Sequence, residues 1–224
     1  MIPQNLWITV RDKTNIHPEI IANIKKIKNL NRNYKLYIVD NAGFEEMLKE
    51  HKSSWMPYYK ALNPNMGAMI GDYIRYVLLY LFGGVYIDAK SFCRLPFEYI
   101  IKDDIDKPIF FDWVTQRNDE ILNFFLIAPA KHEIYEEVIE TIHDNILYFD
   151  SNDWSLHHSK SNVLKFTGPR LLTQVVRRNK NDVVIKNNQW RLRALIYKSV
   201  SSDHRKLLGG LHYSKVMEHM VITE

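Results

Sequence analysis

Apolar positions along the chain fall into short continuous runs and into sets with helical spacing, separated by polar turns. Runs at residues 6–10, 34–39 and 85–88 predict buried strands, and the spacing at residues 18–30 predicts a helix between the first two. The order strand, helix, strand is typical of α/β sheets, in which the ends of the strands commonly face a ligand. We therefore expect a central sheet whose strand ends carry the chemistry.

The same patterns extend over the rest of the chain. They predict helices at residues 43–51, 66–82, 132–148 and 169–178 and strands at residues 108–112 and 124–128. The aromatic stretch 55–59 is predicted to be a loop or turn, and the basic tail after residue 190 to be less regular. Because no repeat or Gly/Ser linker interrupts the sequence, we expect one domain over residues 1–224.

Composition narrows the class of protein. Hydrophobic residues make up 46% and charged residues 25% of the 224 residues, which is typical of a globular chain. The net charge of +4 gives no general affinity for polyanions, so no nucleic-acid partner is expected. The single Cys93 excludes an internal disulfide. The start MIPQNLWITVRDK lacks a secretory signal and residues 76–82 are too short to span a bilayer, which favours a cytoplasmic location without a membrane span.

The most informative segment is GAMIGDYIRYVLLYLFGGVYIDAKSFCRLP. Asp72 and Arg75 are three residues apart and therefore lie on one face of the predicted helix. A surface ion pair is the usual explanation for such a pair. Here the flanking positions are nearly all apolar, so the helix is predicted to be buried, and buried charges need partners such as the hydroxyls of a sugar.

A double glycine follows this helix. Gly83 and Gly84 predict a helix end and a tight turn, because glycine adopts left-handed backbone angles without steric cost. The turn leads into a buried strand with Asp88 at its carboxyl end. An Asp at a strand end has little meaning alone, but after a capped helix that bears Asp and Arg it is a more specific arrangement.

Residues 71–88 resemble the signature of glycosyltransferases with a DXD sugar-binding motif, which pairs an Asp and an Arg on a helix with Gly-Gly, an aromatic residue and Asp-X-Asp. This group includes the mannosyltransferases of family thirty-two, the clostridial glucosylating toxins and capsular polysaccharide synthesis proteins. The resemblance implies a GT-A type, Rossmann-like α/β fold with a mixed central sheet flanked by helices. It further implies that Asp72 and Arg75 hold the donor sugar and that Asp88 holds the ribose and a metal-bound diphosphate.

Further matches lie outside that segment. The opening IPQNLWIT is similar to the family's first strand and makes Trp7 and Thr9 candidates for contact with the nucleotide base. Tyr86 is the aromatic residue of the motif. Asn123, before an apolar strand, and Thr167, in FTGPRLLTQVV, stand at positions that resemble family positions. The resemblance therefore implies a donor site that also includes Tyr86 and Asn123.

The sequence departs from the family pattern at Lys90, which stands where the family has its second Asp. Positions 88 and 90 of a strand face the same side, so Lys90 is expected to point into the site. The resemblance implies a divalent cofactor, Mn²⁺ or Mg²⁺, with Asp88 as a ligand. His212, in GGLHYSK, is similar to a late metal-binding His of some of these sites, and the alternative is an exposed or packed histidine. Lys90 is expected to weaken the binding of the metal ion.

Other candidates have alternatives that the sequence leaves open. Asp112, at the end of an apolar strand, suits either an acceptor-side carboxylate or a turn cap, and the aromatic stretch 55–59 suits either a sugar platform or the core. His157 and His158 point to opposite faces of an extended chain and do not make a metal pair. Basic residues of the tail could line the diphosphate or a solvated surface: Arg191, Arg193, Lys198, Arg205 and Lys206.

These observations together predict a glycosyltransferase, and within that class a hexosyltransferase of polysaccharide biosynthesis. It would move a sugar from a nucleotide diphosphate sugar, with UDP as the first choice of nucleotide, to a glycan, a glycoconjugate or another hydroxyl acceptor. The family resemblance further implies retention of the anomeric configuration. No Walker loop, GxGxxG turn, zinc array or GxSxG elbow is present. The alternative is a nucleotide-sugar binding or regulatory protein that has lost transfer activity.

Overall fold

The computed structural model describes residues 1–114, 119–149, 160–200 and 218–222 of the chain. The helices in these ranges are α1 (Pro18–Leu30), α2 (Asn41–Lys52), α3 (Met56–Ala61), α4 (Gly67–Phe82), α5 (Phe97–Ile101), α6 (Glu133–Leu147), α7 (Lys160–Phe166), α8 (Pro169–Arg178) and α9 (Asn188–Ala194). The strands are β1 (Asn5–Thr9), β2 (Lys35–Val39), β3 (Gly84–Ile87), β4 (Phe92–Cys93), β5 (Ile109–Val114), β6 (Asp119–Ile121), β7 (Phe125–Ala128), β8 (Val184–Lys186) and β9 (Leu195–Ile196).

The described strands form a mixed seven-stranded sheet in the order β2-β1-β3-β7-β5-β6, with β8 paired to β5. β1 is parallel to both β2 and β3, whereas β7 is antiparallel to β3 and to β5. β3 and β5 therefore run in the same direction as β1 and β2, and the carboxyl ends of all four meet at one edge. β4 and β9 form a separate antiparallel pair. The mixed sheet flanked by helices agrees with the fold class predicted from the sequence.

Helices cover both faces of the sheet. One buried cluster contains α4, α6 and α8 together with Trp7 and Tyr86, and the other contains α1 and α5 together with Leu6 and Val85. Neighbouring strand residues thus alternate between the two cores, as the pleat of a strand requires. Tyr86 and the residue two positions further on, Asp88, consequently face the layer that contains α4.

α4 is the central helix of the fold, and most of its residues are buried around the whole circumference. It contacts β1, β3 and β7 on one side and α6 on another. A helix that is apolar all round must be enclosed in this way. Asp72 and Arg75 are therefore buried charged groups, as the sequence predicted, with only 5% and 7% of their surface exposed.

The double glycine ends α4 and places β3 against its neighbours. Gly83 has φ +61°, and a Cβ atom there would lie 2.5 Å from the amide nitrogen of Ala130. Gly84 has φ +108°, and a Cβ atom there would lie 2.5 Å from the carbonyl oxygen of Asn5. Both conformation and space therefore require glycine, and the predicted helix end is confirmed.

One prediction of irregular structure was wrong, and a second holds only in part of the described tail. Residues 55–59, predicted to be a loop or turn, lie in a 3₁₀ turn, Ser53–Trp55, and in α3. Pro57 lies in the first turn of α3, where its missing N–H is not needed. The tail after Trp190 continues α9 and then pairs with β4 through β9. Within the described ranges, no helix combines the length and the apolar character that crossing a bilayer requires.

Candidate functional site

The predicted site residues converge where the buried half of α4 meets the carboxyl ends of β1 and β3. Asp72 and Arg75 come from α4, Thr9 ends β1, and Asp88 follows β3. Polar side chains at the carboxyl edge of an α/β sheet are the usual arrangement of a ligand site. The site has two ends, one around Asp72 and one around Asp88.

Asp72 is held by neutral donors from distant parts of the chain. Its Oδ1 accepts a hydrogen bond from Asn123 Nδ2 at 2.8 Å, and its Oδ2 accepts one from Thr167 Oγ1 at 3.1 Å. Burial raises the pKa of Asp72 to about 7, although the Arg75 guanidinium and the Thr167 hydroxyl act in the opposite direction. The carboxyl group is therefore fixed in orientation and can exchange a proton near neutral pH.

Arg75 links the two ends of the site. Its guanidinium lies 3.4 Å from Asp72 Oδ1 and 3.3 Å from Asp88 Oδ1, and it packs over the ring of Tyr86 at 4.8 Å. Nη1 also donates to the carbonyl of Asn123 at 2.5 Å, and Nε to that of Gly71 at 3.0 Å. Burial lowers the pKa of Arg75, but Tyr86 and the two carboxylates raise it by more than burial lowers it. The guanidinium group therefore stays charged.

A chain of hydroxyl groups connects β1 to Asp88. Tyr86 Oη donates to Asp88 Oδ1 at 2.9 Å, and Thr9 Oγ1 lies 2.9 Å from the same phenol oxygen. Because the phenol has a single proton and gives it to Asp88, Thr9 must donate to Tyr86. Thr9 and Tyr86 therefore orient Asp88, whose side chain is 16% exposed.

Lys90 enters the site as predicted, but from the turn that follows β3 and not from the strand, which ends at Ile87. Its Nζ lies 3.8 Å from Asp88 Oδ2 and donates to Tyr197 Oη at 3.1 Å. Burial lowers the pKa of Lys90, but the Asp88 carboxylate and the Tyr197 oxygen raise it above its ordinary value. A protonated amine therefore stands where the family has its second carboxylate.

Asn23, which sequence reasoning missed, fixes the turn after β3. Its Nδ2 donates to the carbonyls of Ala89 and Ser91, both at 2.8 Å, from a buried position on α1. The signal was present in the sequence, because Asn23 stands on the same side of α1 as Ile20 and Ile24. A polar residue on an apolar helix face usually has a buried partner.

The tail after α9 also fixes this turn, and Tyr197 was missed as well. Ser91 Oγ donates to the carbonyl of Tyr197 at 2.6 Å, and the Ser199 amide donates to the carbonyl of Lys90 at 2.7 Å. No pattern in the sequence marks Tyr197, since its role depends on a contact with a segment 107 residues earlier.

Trp7 does not reach the site, in contrast to its predicted role in nucleotide binding. Its side chain is 2% exposed, its ring stacks on Tyr37 at 4.4 Å, and its Nε1 donates to the carbonyl of Gly83 at 2.8 Å. With its N–H paired and its ring covered, Trp7 is a core residue. Thr9, at the end of the same strand, is the β1 residue that belongs to the site.

Packing assigns the aromatic stretch to the core and shows a surface ion pair for Asp112, which is neither of the two roles that the sequence left open for it. Asp112 pairs with Arg177 at 2.7 Å, and the same guanidinium binds Asp119 at 2.9 Å, so Asp112 belongs to an ion-pair cluster on the surface. Trp55 and Tyr59 are 7% and 4% exposed and belong to the core around α4. Neither Asp112 nor the aromatic stretch joins the Asp72 and Asp88 network.

The metal ligands implied by the sequence were Asp88 and His212. His212 lies outside the described residues, as do His157 and His158. In the ranges that the structure describes, no group of three or more His, Cys, Asp or Glu side chains could hold a metal ion. Asp88 is the one motif carboxylate, and it faces Arg75 and Lys90. The described residues therefore do not fit a divalent ion held by the protein alone.

Comparison with known proteins indicates the class of protein. The model of the family described as "Glycosyltransferase sugar-binding region containing DXD motif" matches residues 18–106, a range that includes Asp72, Arg75 and Asp88. The chain is also similar to "Subversion of eukaryotic traffic protein A" of Legionella pneumophila, with 25% identity over 112 residues. The similar stretch covers 49% of this chain and only 16% of that protein.

Solved structures share the fold. The chain is similar to "PaToxG Glycosyltransferase" with a TM-score of 0.58 and 16% identity, over 80% of this chain and 70% of the other. It is also similar to the ligand-free glycosyltransferase domain of the YGT toxin, with a TM-score of 0.61 and 11% identity, over 89% and 82% of the two chains. Residues 18–106 therefore match the glycosyltransferase family whose sugar-binding region contains the DXD motif, and the chain shares its fold with toxin glycosyltransferase domains.

Proposed function

We propose that this chain transfers a sugar from a nucleotide diphosphate sugar, with a UDP-sugar as the first choice, to a hydroxyl group of an acceptor. The observation that carries the proposal is the buried array of Asp72, Arg75 and Asp88 at the carboxyl edge of β1 and β3. Such an array is costly to bury even when its charges are paired, and clusters of this kind are typical of functional sites. The family match includes all three of its residues.

Asp72 and Arg75 bind the donor sugar in this proposal. Each oxygen of Asp72 accepts one hydrogen bond from the protein, and a carboxylate has about four acceptor positions, so capacity remains for sugar hydroxyls. Arg75 is fixed by Gly71 and Asn123 and so presents its charge in one direction. A sugar bound in this way exposes its anomeric carbon to the acceptor in one orientation.

The diphosphate gains negative charge as the glycosidic bond breaks, so the site must supply positive charge or oriented donors there. Lys90 and Arg75 are the cations next to Asp88, and the hydroxyl chain of Thr9 and Tyr86 orients Asp88, which contacts the ribose in this proposal. A Mn²⁺ or Mg²⁺ ion with Asp88 and His212 as ligands stays a prediction from the family resemblance. Retention of the anomeric configuration is proposed on the same basis.

The test is hydrolysis and binding of a panel of UDP-, GDP- and ADP-linked hexoses. We expect one nucleotide class to raise the melting temperature and to be hydrolysed slowly without acceptor. Proton NMR of the first sugar released reports its anomeric configuration, and the α anomer from an α-linked donor indicates retention. A panel in which no nucleotide sugar binds and none is turned over would overturn the proposal.

A second candidate function is nucleotide-sugar binding without transfer, and the replacement of the second motif carboxylate by Lys90 favours it. The two functions differ in turnover. If a donor binds at micromolar concentration but is neither hydrolysed nor transferred to any acceptor offered, the binding function is correct. Detectable release of free sugar by the wild-type protein, abolished in Asp88→Asn, contradicts it.

The acceptor is proposed to be a glycan, a glycoconjugate or another hydroxyl group. The name of the Legionella relative refers to subversion of eukaryotic traffic, although this chain spans only 16% of that protein. Eukaryotic cell extract therefore belongs in the acceptor panel beside oligosaccharides. Transfer of radiolabelled sugar to protein bands or to oligosaccharides distinguishes these acceptor classes.

A further inference from the structure

Asp88 stands between two cations. Arg75 Nη1 lies 3.3 Å from its Oδ1, and Lys90 Nζ lies 3.8 Å from its Oδ2. The side chains are largely buried, with exposed fractions of 9% for Arg75, 16% for Asp88 and 17% for Lys90. Because each carboxylate oxygen already has a cation beside it, the charge of Asp88 is balanced by the protein itself.

Lys90 is held in this place by the tail segment. Its Nζ donates to Tyr197 Oη at 3.1 Å and lies 4.6 Å from the centre of the Tyr197 ring. That ring packs against Phe124 at 5.1 Å and Trp113 at 5.4 Å. The packed Tyr197 ring therefore orients the Lys90 ammonium group. The backbone carbonyl of Lys90 accepts a hydrogen bond from the Ser199 amide.

This geometry opposes a divalent ion on the outer oxygen of Asp88. A Mg²⁺ ion binds a carboxylate oxygen at about 2.1 Å. It would therefore lie close to a protonated amine that is 3.8 Å from that same oxygen. Like charges at such separation repel strongly where water is excluded. The ammonium and the ion thus compete for one position.

We propose that the Lys90 ammonium, positioned by Tyr197, is the counter-charge for the diphosphate of the donor, and that donor binding at this site does not require a divalent ion. Lysine has three N–H donors, and Tyr197 uses one of them, so donors remain for phosphate oxygens. This inference rests on the proposed function, because it assumes a nucleotide diphosphate as ligand.

The main experiment measures UDP, GDP and ADP binding by calorimetry in EDTA and in Mn²⁺. For the nucleotide that binds, we expect the wild-type Kd in EDTA to lie within threefold of the Kd in Mn²⁺. Lys90→Met should weaken binding in EDTA at least tenfold. The matched control is Lys186→Met, since Lys186 is equally exposed at 17% and pairs with Asp104 at 2.8 Å. Its Kd should equal that of wild type.

Two reciprocal variants sharpen the result. Lys90→Asp restores the Asp-X-Asp pattern and should make nucleotide binding depend on Mn²⁺ at least tenfold, while it tightens Mn²⁺ binding to the nucleotide-free protein. Tyr197→Phe keeps the ring but removes the hydroxyl that orients Lys90. It should raise the Kd for UDP about threefold in EDTA and leave the Kd for UMP unchanged. A merely structural role of Tyr197 would raise both Kd values equally.

The outcomes separate this inference from the proposed function. Wild-type protein that binds a nucleoside diphosphate at least tenfold more tightly in Mn²⁺ than in EDTA overturns the inference alone, and so does Lys90→Met with a wild-type Kd in EDTA. Wild-type protein that binds none of the three nucleotides in either buffer overturns the proposed function and the inference with it. Thermal unfolding of each variant identifies any that fail to fold, and the wild-type comparison of EDTA with Mn²⁺ remains decisive in that case.

Discussion

The two ends of the site use the same residue type in different ways. Asp72, on α4, has a side chain that is 7% exposed and receives its hydrogen bonds from the neutral groups of Asn123 and Thr167. Asp88, after β3, is 16% exposed and is flanked by Arg75 and Lys90. Asp72 shares Arg75 with Asp88 but is otherwise held by neutral donors, whereas Asp88 has Lys90 as a second cation.

This difference indicates separate tasks. A carboxyl group fixed by neutral donors keeps one orientation whether or not ligand is present, which suits the recognition of hydroxyl groups by position. When a carboxylate is flanked by cationic side chains, those side chains can also bind the oxygens of an incoming diphosphate. We therefore expect changes at the Asp72 end to act on stability and sugar selectivity, and changes at the Asp88 end to act on turnover.

Arg75 joins the two ends, so its removal should have the largest effect. Arg75→Met leaves Asp72 without its ion partner in the core, and loss of one member of a buried ion pair costs roughly 3–5 kcal/mol. Urea unfolding measures the change. The matched control is Arg177→Met, an arginine with a 38% exposed side chain that also bridges two carboxylates. It should lose less than about 1 kcal/mol. Equal losses in the two variants would contradict a buried role for Arg75.

The next largest effect is a pH dependence confined to the Asp72 end. Burial raises the pKa of Asp72 from 3.8 to about 7, so between these values the folded protein holds a proton that the unfolded chain has released. The stability contributed by this group is therefore present at about pH 4 and is lost as pH rises through 7. The shift corresponds to at most roughly 4 kcal/mol.

Asp72→Asn removes that dependence while it keeps the volume of the side chain. Its carbonyl can still accept from Asn123, and its amide can donate to Thr167. Urea unfolding should be measured between about pH 4.5 and pH 8, which covers most of the interval from 3.8 to about 7. The free energy of unfolding of wild type should fall relative to that of the variant as pH rises. Other titrating groups are shared, so they cancel in the difference. Parallel curves for the two proteins would show that Asp72 titrates normally.

At the Asp88 end the effect should fall on turnover. Asp88→Asn keeps the volume but removes the charge that Arg75, Tyr86 and Lys90 surround. We expect donor hydrolysis to fall about 100-fold, which equals about 2.7 kcal/mol, with a smaller loss of stability than in Arg75→Met. Steady-state hydrolysis of the donor in the absence of acceptor is the measurement.

Asp112→Asn is the matched control for that variant. Asp112 lies in β5 near the same edge of the sheet, is 18% exposed, and pairs with an arginine outside the site. Its donor hydrolysis should equal that of wild type. An Asp88→Asn protein with near wild-type turnover, or an Asp112→Asn protein with an equal loss, would remove the distinction between the two carboxylates.

The sequence was most informative where the site is continuous along the chain. The segment from α4 to β3 combines an apolar helix, a glycine pair that only glycine can fill, and a buried strand, so local patterns predict both its structure and the position of Asp88. The partners of Asp72 are different. Asn123 and Thr167 lie 51 and 95 residues away, and only the family resemblance singled them out.

Trp7 shows why strand periodicity alone was not sufficient. Trp7 and Thr9 are two residues apart on β1 and so face the same core, but Trp7 lies in the middle of the strand under Tyr37 and Phe82. Only the end of the strand opens toward the site. Tyr197 could not be predicted for another reason, since its contact with Lys90 depends on how the tail returns to the sheet.

The smallest predicted effect tests the neutral partners of Asp72. Thr167 is fully buried, and its Oγ1 donates to Asp72 Oδ2 at 3.1 Å. Thr167→Val keeps the shape but removes this donor, which should cost about 1 kcal/mol in urea unfolding. In calorimetry it should also raise the Kd for a UDP-sugar about threefold and leave the Kd for UDP unchanged. The reason is that Asp72 Oδ2, which loses its donor, belongs to the sugar end of the site. Thr141→Val is the control, since Thr141 donates to the Glu137 carbonyl within α6, away from the site. Equal weakening of UDP and the UDP-sugar by Thr167→Val would mean that Asp72 supports the whole site rather than the sugar.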